Sequence, residues 1–341
     1  MNLRIYHKLF VCGILAVALL TTRQLSAQYL TLEGQTGGFL TPTAYIVYME
    51  KGQALSHPAI AFHYINASKV IGNIETFSIT EAFYGRAEAG YTRSVHQLGN
   101  QTTGLDLSQL WNYSGMNVFH GKVVGIKDGQ FGPWTPGVAV GGVVRTNDKF
   151  VSGAAIPEAA EFYDAYCAIA LCPQMAVPAA KSYTNGDVYV VVTKTWAKKP
   201  VPFLANIGWK ATNASIFGIG GQSNRFVGRL FGGLGIPLPI THGIVAVPSA
   251  GFTQQPPTVK NLGSMFPTGI PLVAGKADLP TTLDYALRVT QREKPHFSFD
   301  IGIGQVANNI GAIPPGLFGP NAVPVNLEAR HVVGMGLSYR Y

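Results

Sequence analysis

Charge is what this sequence has least of. Only 12% of its 341 residues are Asp, Glu, Lys or Arg, about half the roughly 25% of a water-soluble domain, and that excludes an ordinary soluble surface. Disorder is excluded as well, because disordered chains are charged and poor in aromatics whereas 11% of this chain is aromatic. No apolar run reaches the ~20 residues of a membrane-spanning helix; the longest, residues 9–20, stops at about a dozen. The basic residues form no run or stripe, so nucleic acid is not an expected partner. Enzyme signatures are missing: there is no Gly-x-Ser-x-Gly, His-Glu-x-x-His, Walker or dinucleotide glycine pattern, and no cofactor is expected.

What is there begins with a leader. Arg4 and Lys8 precede the apolar run and Leu25-Ser26-Ala27 follows it, the layout of a secretory signal peptide (residues 1–27) cleaved after Ala27. Cys12 has no lipobox before it, so a lipoprotein is not expected. Removing Arg4, Lys8 and Arg23 lowers the formal charge from +8 to +5. In an oxidising compartment Cys167 and Cys172 are a possible disulfide closing a local loop. Neither has a His or third Cys nearby, so no metal site is expected.

Beyond the leader no 3.6-residue period persists, but segments of about ten residues alternate residue by residue, the signature of strands. Residues 202–212 set Phe203, Ala205, Ile207, Trp209 and Ala211 against Asn206, Gly208, Lys210 and Thr212. Residues 295–306 set Phe297, Phe299, Ile301 and Ile303 against His296, Ser298, Asp300, Gly302 and Gly304. Twelve segments read this way: 57–66, 73–81, 85–93, 115–126, 136–146, 186–197, 202–212, 226–238, 242–253, 280–291, 295–306 and 329–341. Most exceed the roughly 5–6 residues of a soluble strand and match the ~9–11 of a strand tilted across a bilayer. The links at 82–84, 127–135, 198–201, 239–241 and 292–294 are short, and those between them, at 94–114, 147–185, 213–225, 254–279 and 307–328, are longer; only 67–72 departs from the alternation. Outer-membrane barrels alternate in this way, with short periplasmic turns and long outer loops.

The expected fold is therefore all-β: a transmembrane antiparallel β-barrel of about 12 strands over 57–341, preceded by a plug or periplasmic segment at 28–56. The C-terminus is its most specific local feature. Gly336, Tyr339 and Tyr341, with Val333, Met335 and Leu337 on the outward face, resemble the β-signal of bacterial outer-membrane proteins. That implies recognition by the barrel-assembly machinery and a place in the outer membrane of a Gram-negative-type bacterium, among lipids and lipopolysaccharide.

The runs Gly37-Gly38-Phe39-Leu40-Thr41-Pro42, His63-Tyr64-Ile65-Asn66, Gly90-Tyr91-Thr92-Arg93, Phe119-His120-Gly121-Lys122, Asn185-Gly186-Asp187-Val188-Tyr189, Thr193-Lys194-Thr195 and Glu328-Ala329-Arg330-His331 carry a family resemblance. In order and over nearly the whole mature chain, they resemble a bacterial family described only as a domain of unknown function and grouped with outer-membrane β-barrels. The segment 155–180 is longer than that family leads one to expect. The resemblance implies fold and location and supplies no catalytic residue.

The face opposite the apolar one carries Arg86, Glu88, Lys122, Arg145, Lys210, Arg229, Asp284, Arg288, Asp300, Arg330 and Arg340, eight cations and three carboxylates. These are the expected lumen-lining residues. The face is ambiguous in 186–197, where Lys194 falls in with Val188, Val190 and Val192, and in 242–253, which contains Pro248. A net-positive lumen points to a porin-like channel with a weak preference for anionic or small polar solutes. If the same side chains pair and fill a narrow interior, the barrel is plugged and structural. The apolar loop stretches 256–273 and 310–325 suggest a third reading, uptake of hydrophobic compounds. Residues 28–56 bear on the choice as a partial plug, and the loop 147–185 is compatible with a short helix near the cysteines. A rim enzyme has only His63, His120, Ser298 and Asp300 to draw on, and requires two of them within hydrogen-bond reach.

Overall fold

The computed structural model describes residues 29–67, 72–97, 115–151, 180–197, 201–214, 222–241, 243–256, 281–291, 296–313, 323–329 and 331–340, and none of them is helical. The strands are β1 (Ala59–Asn66), β2 (Asn73–Phe83), β3 (Ala87–Gln97), β4 (Met116–Ile126), β5 (Gly137–Val151), β6 (Ala180–Trp196), β7 (Phe203–Ala214), β8 (Gln222–Gly235), β9 (Leu238–Thr241), β10 (Ile244–Thr253), β11 (Thr282–Gln291), β12 (His296–Gln305), β13 (Ala307–Ile313), β14 (Val323–Ala329) and β15 (Val332–Arg340). Twelve of these close into an antiparallel barrel: β1 to β8 in order, then β10, β11, β12 and β15. Closure is made by β15 against β1, from Ala59↔Arg340 to Asn66↔Val333. Each of these twelve strands is paired on both sides, so none of them is an open edge.

The period-two pattern explains the wall. In β12, Phe297, Phe299, Ile301 and Ile303 face outward at 42% to 54% exposure, while Ser298 and Asp300 between them are buried. In β15, Val333, Met335 and Leu337 are exposed and Arg340 is buried. A water-soluble protein hides its apolar side; this barrel presents it outward around the wall and turns hydroxyl and charged groups inward, as a strand wall bathed in lipid does.

The structure differs from the sequence reading at the strand ends. β5 runs on to Val151, β6 starts at Ala180 and β8 at Gln222. There the β5–β6 ladder shifts register after Arg145↔Asn185 and resumes from Asp148↔Tyr183 to Val151↔Ala180, so strand pairing persists where the alternation in the sequence stops. Part of the stretch expected to hold a short helix is thus strand; the rest of it, with Cys167 and Cys172, lies outside the described residues. The link 307–328 contains a separate hairpin, β13–β14. β8 and β9 both lie along β10, broken at Ile236 and Pro237, where proline lacks the N–H a continuous ladder needs, and the chain reverses at Gly243 (φ +91°).

Candidate functional site

Residues 29–47 lie inside the barrel. They form neither helix nor regular strand because glycine, threonine and proline divide them: Gly34 has φ +88°, and a Cβ at Gly37 would stand 2.2 Å from the Thr41 carbonyl. The segment satisfies its own backbone as a tight double loop. Thr31 N–H donates to Gln35 O (2.7 Å), Gly37 N–H to Tyr29 O (2.7 Å), Gly38 N–H to Thr41 O (2.8 Å) and Thr43 N–H to Thr36 O (3.0 Å). Leu30, Thr31, Gln35, Thr36, Thr43, Ala44 and Val47 are all buried.

The wall grips this knot through buried charge. Glu88 on β3 accepts from Thr36 N–H (3.0 Å), Thr36 Oγ1 (2.6 Å) and Val47 N–H (3.2 Å). Lys122 on β4 lies 2.9 Å from Glu88 and donates to the carbonyls of Thr36 (3.0 Å) and Thr43 (2.9 Å). Arg145 on β5 forks onto Glu33 of the knot, Nε to Oε1 at 2.5 Å and Nη2 to Oε2 at 2.8 Å, and its Nη2 also meets Asp187 of β6 at 2.9 Å. Lys210 of β7 stands 3.8 Å from the same Asp187 carboxylate. Thr80 Oγ1 donates to Gly34 O (2.7 Å), and Thr193 Oγ1 accepts from Ala44 N–H (2.8 Å).

On the opposite side Arg288 of β11 forks onto Asp300 of β12 and lies 4.0 Å above the Tyr29 ring. Phe39 sits where the wall has no side chain: a Cβ at Gly334 would come within 2.7 Å of its ring. Toward the end where the segment leaves the barrel, Tyr45 Oη donates to Asp128 in the β4–β5 turn (2.7 Å), and Lys194 Nζ meets that carboxylate at 2.6 Å. Burial pushes the Tyr45 phenol above its ordinary range, so it stays a donor to Asp128 at physiological pH. Arg340 lies 5.0 Å from the Tyr48 ring. Residues 54–56 then run beside the end of β2, where Ser56 N–H donates to Ala82 O (2.9 Å) and Tyr84 N–H to Ala54 O (2.9 Å).

Of the residues expected to line the lumen, Glu88, Lys122, Arg145, Lys210, Asp284, Arg288, Asp300 and Arg340 are buried. Arg229 is half-buried and donates to Gln255 O (2.7 Å). Arg86 is a correction: it lies in the turn between β2 and β3, exposed, with Nη1 donating to Gly125 O (2.8 Å). Tyr84 (φ +51°) and Gly85 (φ +62°) reverse the chain there, so the strand begins after Arg86 and not at Gly85. Gly336 packs against His63, and the Tyr339 ring lies 4.8 Å from that of Phe297, tilted by 50°. Arg330 and Tyr341 lie outside the described residues, as does the leader.

Two carboxylates were missed by the face argument. Asp187 lies on the strand of ambiguous face, which resolves with Val188 and Val190 outward and Asp187, Tyr189 and Val191 inward. Glu33 belongs to the inserted segment, which no strand pattern covers. With them, the buried charges among the described residues are five cations (Lys122, Arg145, Lys210, Arg288, Arg340) and five carboxylates (Glu33, Glu88, Asp187, Asp284, Asp300). The cationic excess expected of the lumen is absent from this set.

Of the four residues that a rim enzyme has to draw on, His63 and Asp300 flank the same position, Gly336. His63 contacts Thr76, His120 contacts Thr80, Ser298 contacts Ser338 and Asp300 holds Arg288. Among the described residues no three His, Cys, Asp or Glu side chains gather as a metal site.

The chain matches no protein-family model and no curated protein sequence. Solved structures similar to it include the KdgM porin (6% identity, 83% of this chain and 99% of that one, TM-score 0.40). The NanC porin (9% identity, 83% and 100%, TM-score 0.40) and the translocator domain of the autotransporter NalP from Neisseria meningitidis (10% identity, 86% and 90%, TM-score 0.35) are others. At these values no substrate, pore state or partner passes from them to this chain.

Proposed function

We propose that the protein is a porin-like barrel of the bacterial outer membrane whose own N-terminal segment is a resident plug. The lumen is shut while residues 29–47 are docked. One observation carries this reading: the segment is buried inside the barrel and tied by hydrogen bonds and an ion pair to Glu88, Lys122 and Arg145 on three successive strands. The outward apolar face supports the membrane location. Planar-bilayer recordings test the plug by comparing the full chain with a variant lacking residues 29–47, both checked for heat-modifiable migration as a sign of a folded barrel. The full chain is expected to be nearly silent and the shortened one to conduct in steps. Equal conductance from both, or silence from a folded shortened barrel, overturns the reading.

A further inference from the structure

The three most exposed large apolar side chains among the described residues are Tyr84, Phe131 and Trp134, at 73% to 78% exposure. None of them lies on a strand. Tyr84 sits in the β2–β3 turn, and Phe131 and Trp134 in the β4–β5 turn, residues 127–136, on the short-turn side that faces the periplasm in outer-membrane barrels. The two turns adjoin: Arg86 Nη1 donates to Gly125 O (2.8 Å), Val124 N–H donates to Arg86 O (2.7 Å), and a Cβ at Gly85 would stand 3.4 Å from Lys127 Nζ. Nor is the longer turn loose. Gly129 N–H donates to Thr135 O (2.9 Å) and Thr135 N–H to Gly132 O (3.0 Å), and Asp128 is held by Lys194 (2.6 Å), Thr195 N–H (3.0 Å) and Tyr45 (2.7 Å).

A turn this well fixed that still keeps a phenylalanine and a tryptophan outside the fold implies a partner for them, since large apolar groups gathered at a surface mark interaction sites. The charge beside them narrows its chemistry. Arg86 and Lys127 are exposed, and neither is in an ion pair among the described residues. Against them stand Asp128, already taken by Lys194, and Glu81 on the outward face of β2, while Glu50 of the exit segment is offset by Lys51 beside it in the chain. The excess is positive. Aromatic rings interleaved with cations suit the headgroup region of a bilayer, where rings settle at the interface and cations meet phosphates. The patch also continues from the lipid-facing wall, through Val123 of β4 and Val140 of β5, each more than half exposed. We propose that the β2–β3 and β4–β5 turns form a foot seated in the headgroups of the adjoining leaflet, with a preference for anionic phospholipid. The proposal rests on the membrane-barrel reading above and is independent of the plug.

The chain's four tryptophans supply the test. One variant keeps Trp134 alone, through Trp111→Phe, Trp196→Phe and Trp209→Phe; a second keeps Trp209 alone, which faces outward on β7 at 47% exposure. Each is refolded, with heat-modifiable migration as the check, into phosphatidylcholine vesicles holding a small share of lipid brominated on its acyl chains, either phosphatidylcholine or phosphatidylglycerol. Trp134 fluorescence is expected to be quenched by brominated lipid and shielded from aqueous acrylamide. Brominated phosphatidylglycerol should quench it at least about two-fold more than brominated phosphatidylcholine, because each cation near the surface attracts anionic lipid. That difference should vanish in the double variant Arg86→Gln with Lys127→Gln, while the two lipids should quench Trp209 alike. Trp134 untouched by brominated lipid in vesicles where Trp209 is quenched overturns the foot, whether or not acrylamide reaches it. Equal quenching of Trp134 by the two lipids, a difference that survives loss of both cations, or the same difference at Trp209 overturns the anionic preference. A folded barrel whose Trp209 neither lipid quenches overturns the membrane reading itself.

Discussion

Lys122 shows how much one residue is asked to do. Its ammonium group is fully buried and offers its donors to Glu88, Thr36 O and Thr43 O, so the desolvation of a charge is repaid by an opposite charge and two carbonyls of the plug. Losing one member of such a pair strands the other, at a cost of about 3–5 kcal/mol. Lys122→Met should therefore destabilise the barrel by that amount in urea unfolding, and the double variant with Glu88→Gln should recover part of it, since no bare carboxylate remains. Glu33→Ala should behave differently. Arg145 keeps Asp187 and Asn185 as partners, so the wall should lose little stability, whereas the plug loses the ion pair that ties it to β5; bilayer recordings should show brief openings absent from the wild type. The cations of these sites were legible as polar positions on alternating strands. Glu33 was not, because a segment held by its own turns and by the wall leaves no periodic trace, and a lone Glu among Gly and Thr reads as loop.

Strands were the most legible elements, because in lipid the outward face must be apolar at every second residue and nothing else in the chain imposes that rule. Where β5 and β6 run on past the alternating stretch, pairing continues from Asp148↔Tyr183 to Val151↔Ala180 after a shift of register, and the break in alternation hides such ends from the sequence pattern. The outward face can be tested on β11. Leu287 is 43% exposed and lies mid-strand opposite Ile301. Leu287→Arg should cost about 2–4 kcal/mol of stability in bilayers, as arginine does near the midplane; an exposed leucine of a water-soluble barrel would tolerate the change within about 0.5 kcal/mol. The inward face carries a second constraint, that large rings lie over glycines of neighbouring strands. A Cβ on Gly208 would stand 2.2 Å from the Phe231 ring, so Gly208→Ala should cost about 1–3 kcal/mol through overpacking.

At the scale of the whole molecule, scarce charge and an occupied lumen are linked. A closed barrel sends its few charges inward, and they must be paired there because a bare buried charge is too costly to keep. In the docked state the count is even, five cations and five carboxylates among the described buried residues, all of them in ion pairs except Arg340 and Asp284, but one of those carboxylates, Glu33, belongs to the plug and leaves with it. The wall then keeps Lys122, Arg145, Lys210, Arg288 and Arg340 against Glu88, Asp187, Asp284 and Asp300, with half-buried Arg229 added to the positive side. Removing the plug thus turns a balanced interior into a mildly cationic one lined by groups whose hydrogen-bond partners have gone. Rings of such side chains concentrate anions in an aqueous pore, and salt weakens the effect by screening. The barrel lacking residues 29–47 should accordingly show a reversal potential of weak anion preference in a salt gradient, larger at low ionic strength than at high. Arg145→Gln in that shortened barrel should reduce the preference, because it removes a fixed positive charge that Glu33 no longer covers. A cation-selective reversal potential would mean that the wall carboxylates, and not its arginines and lysines, face the open path.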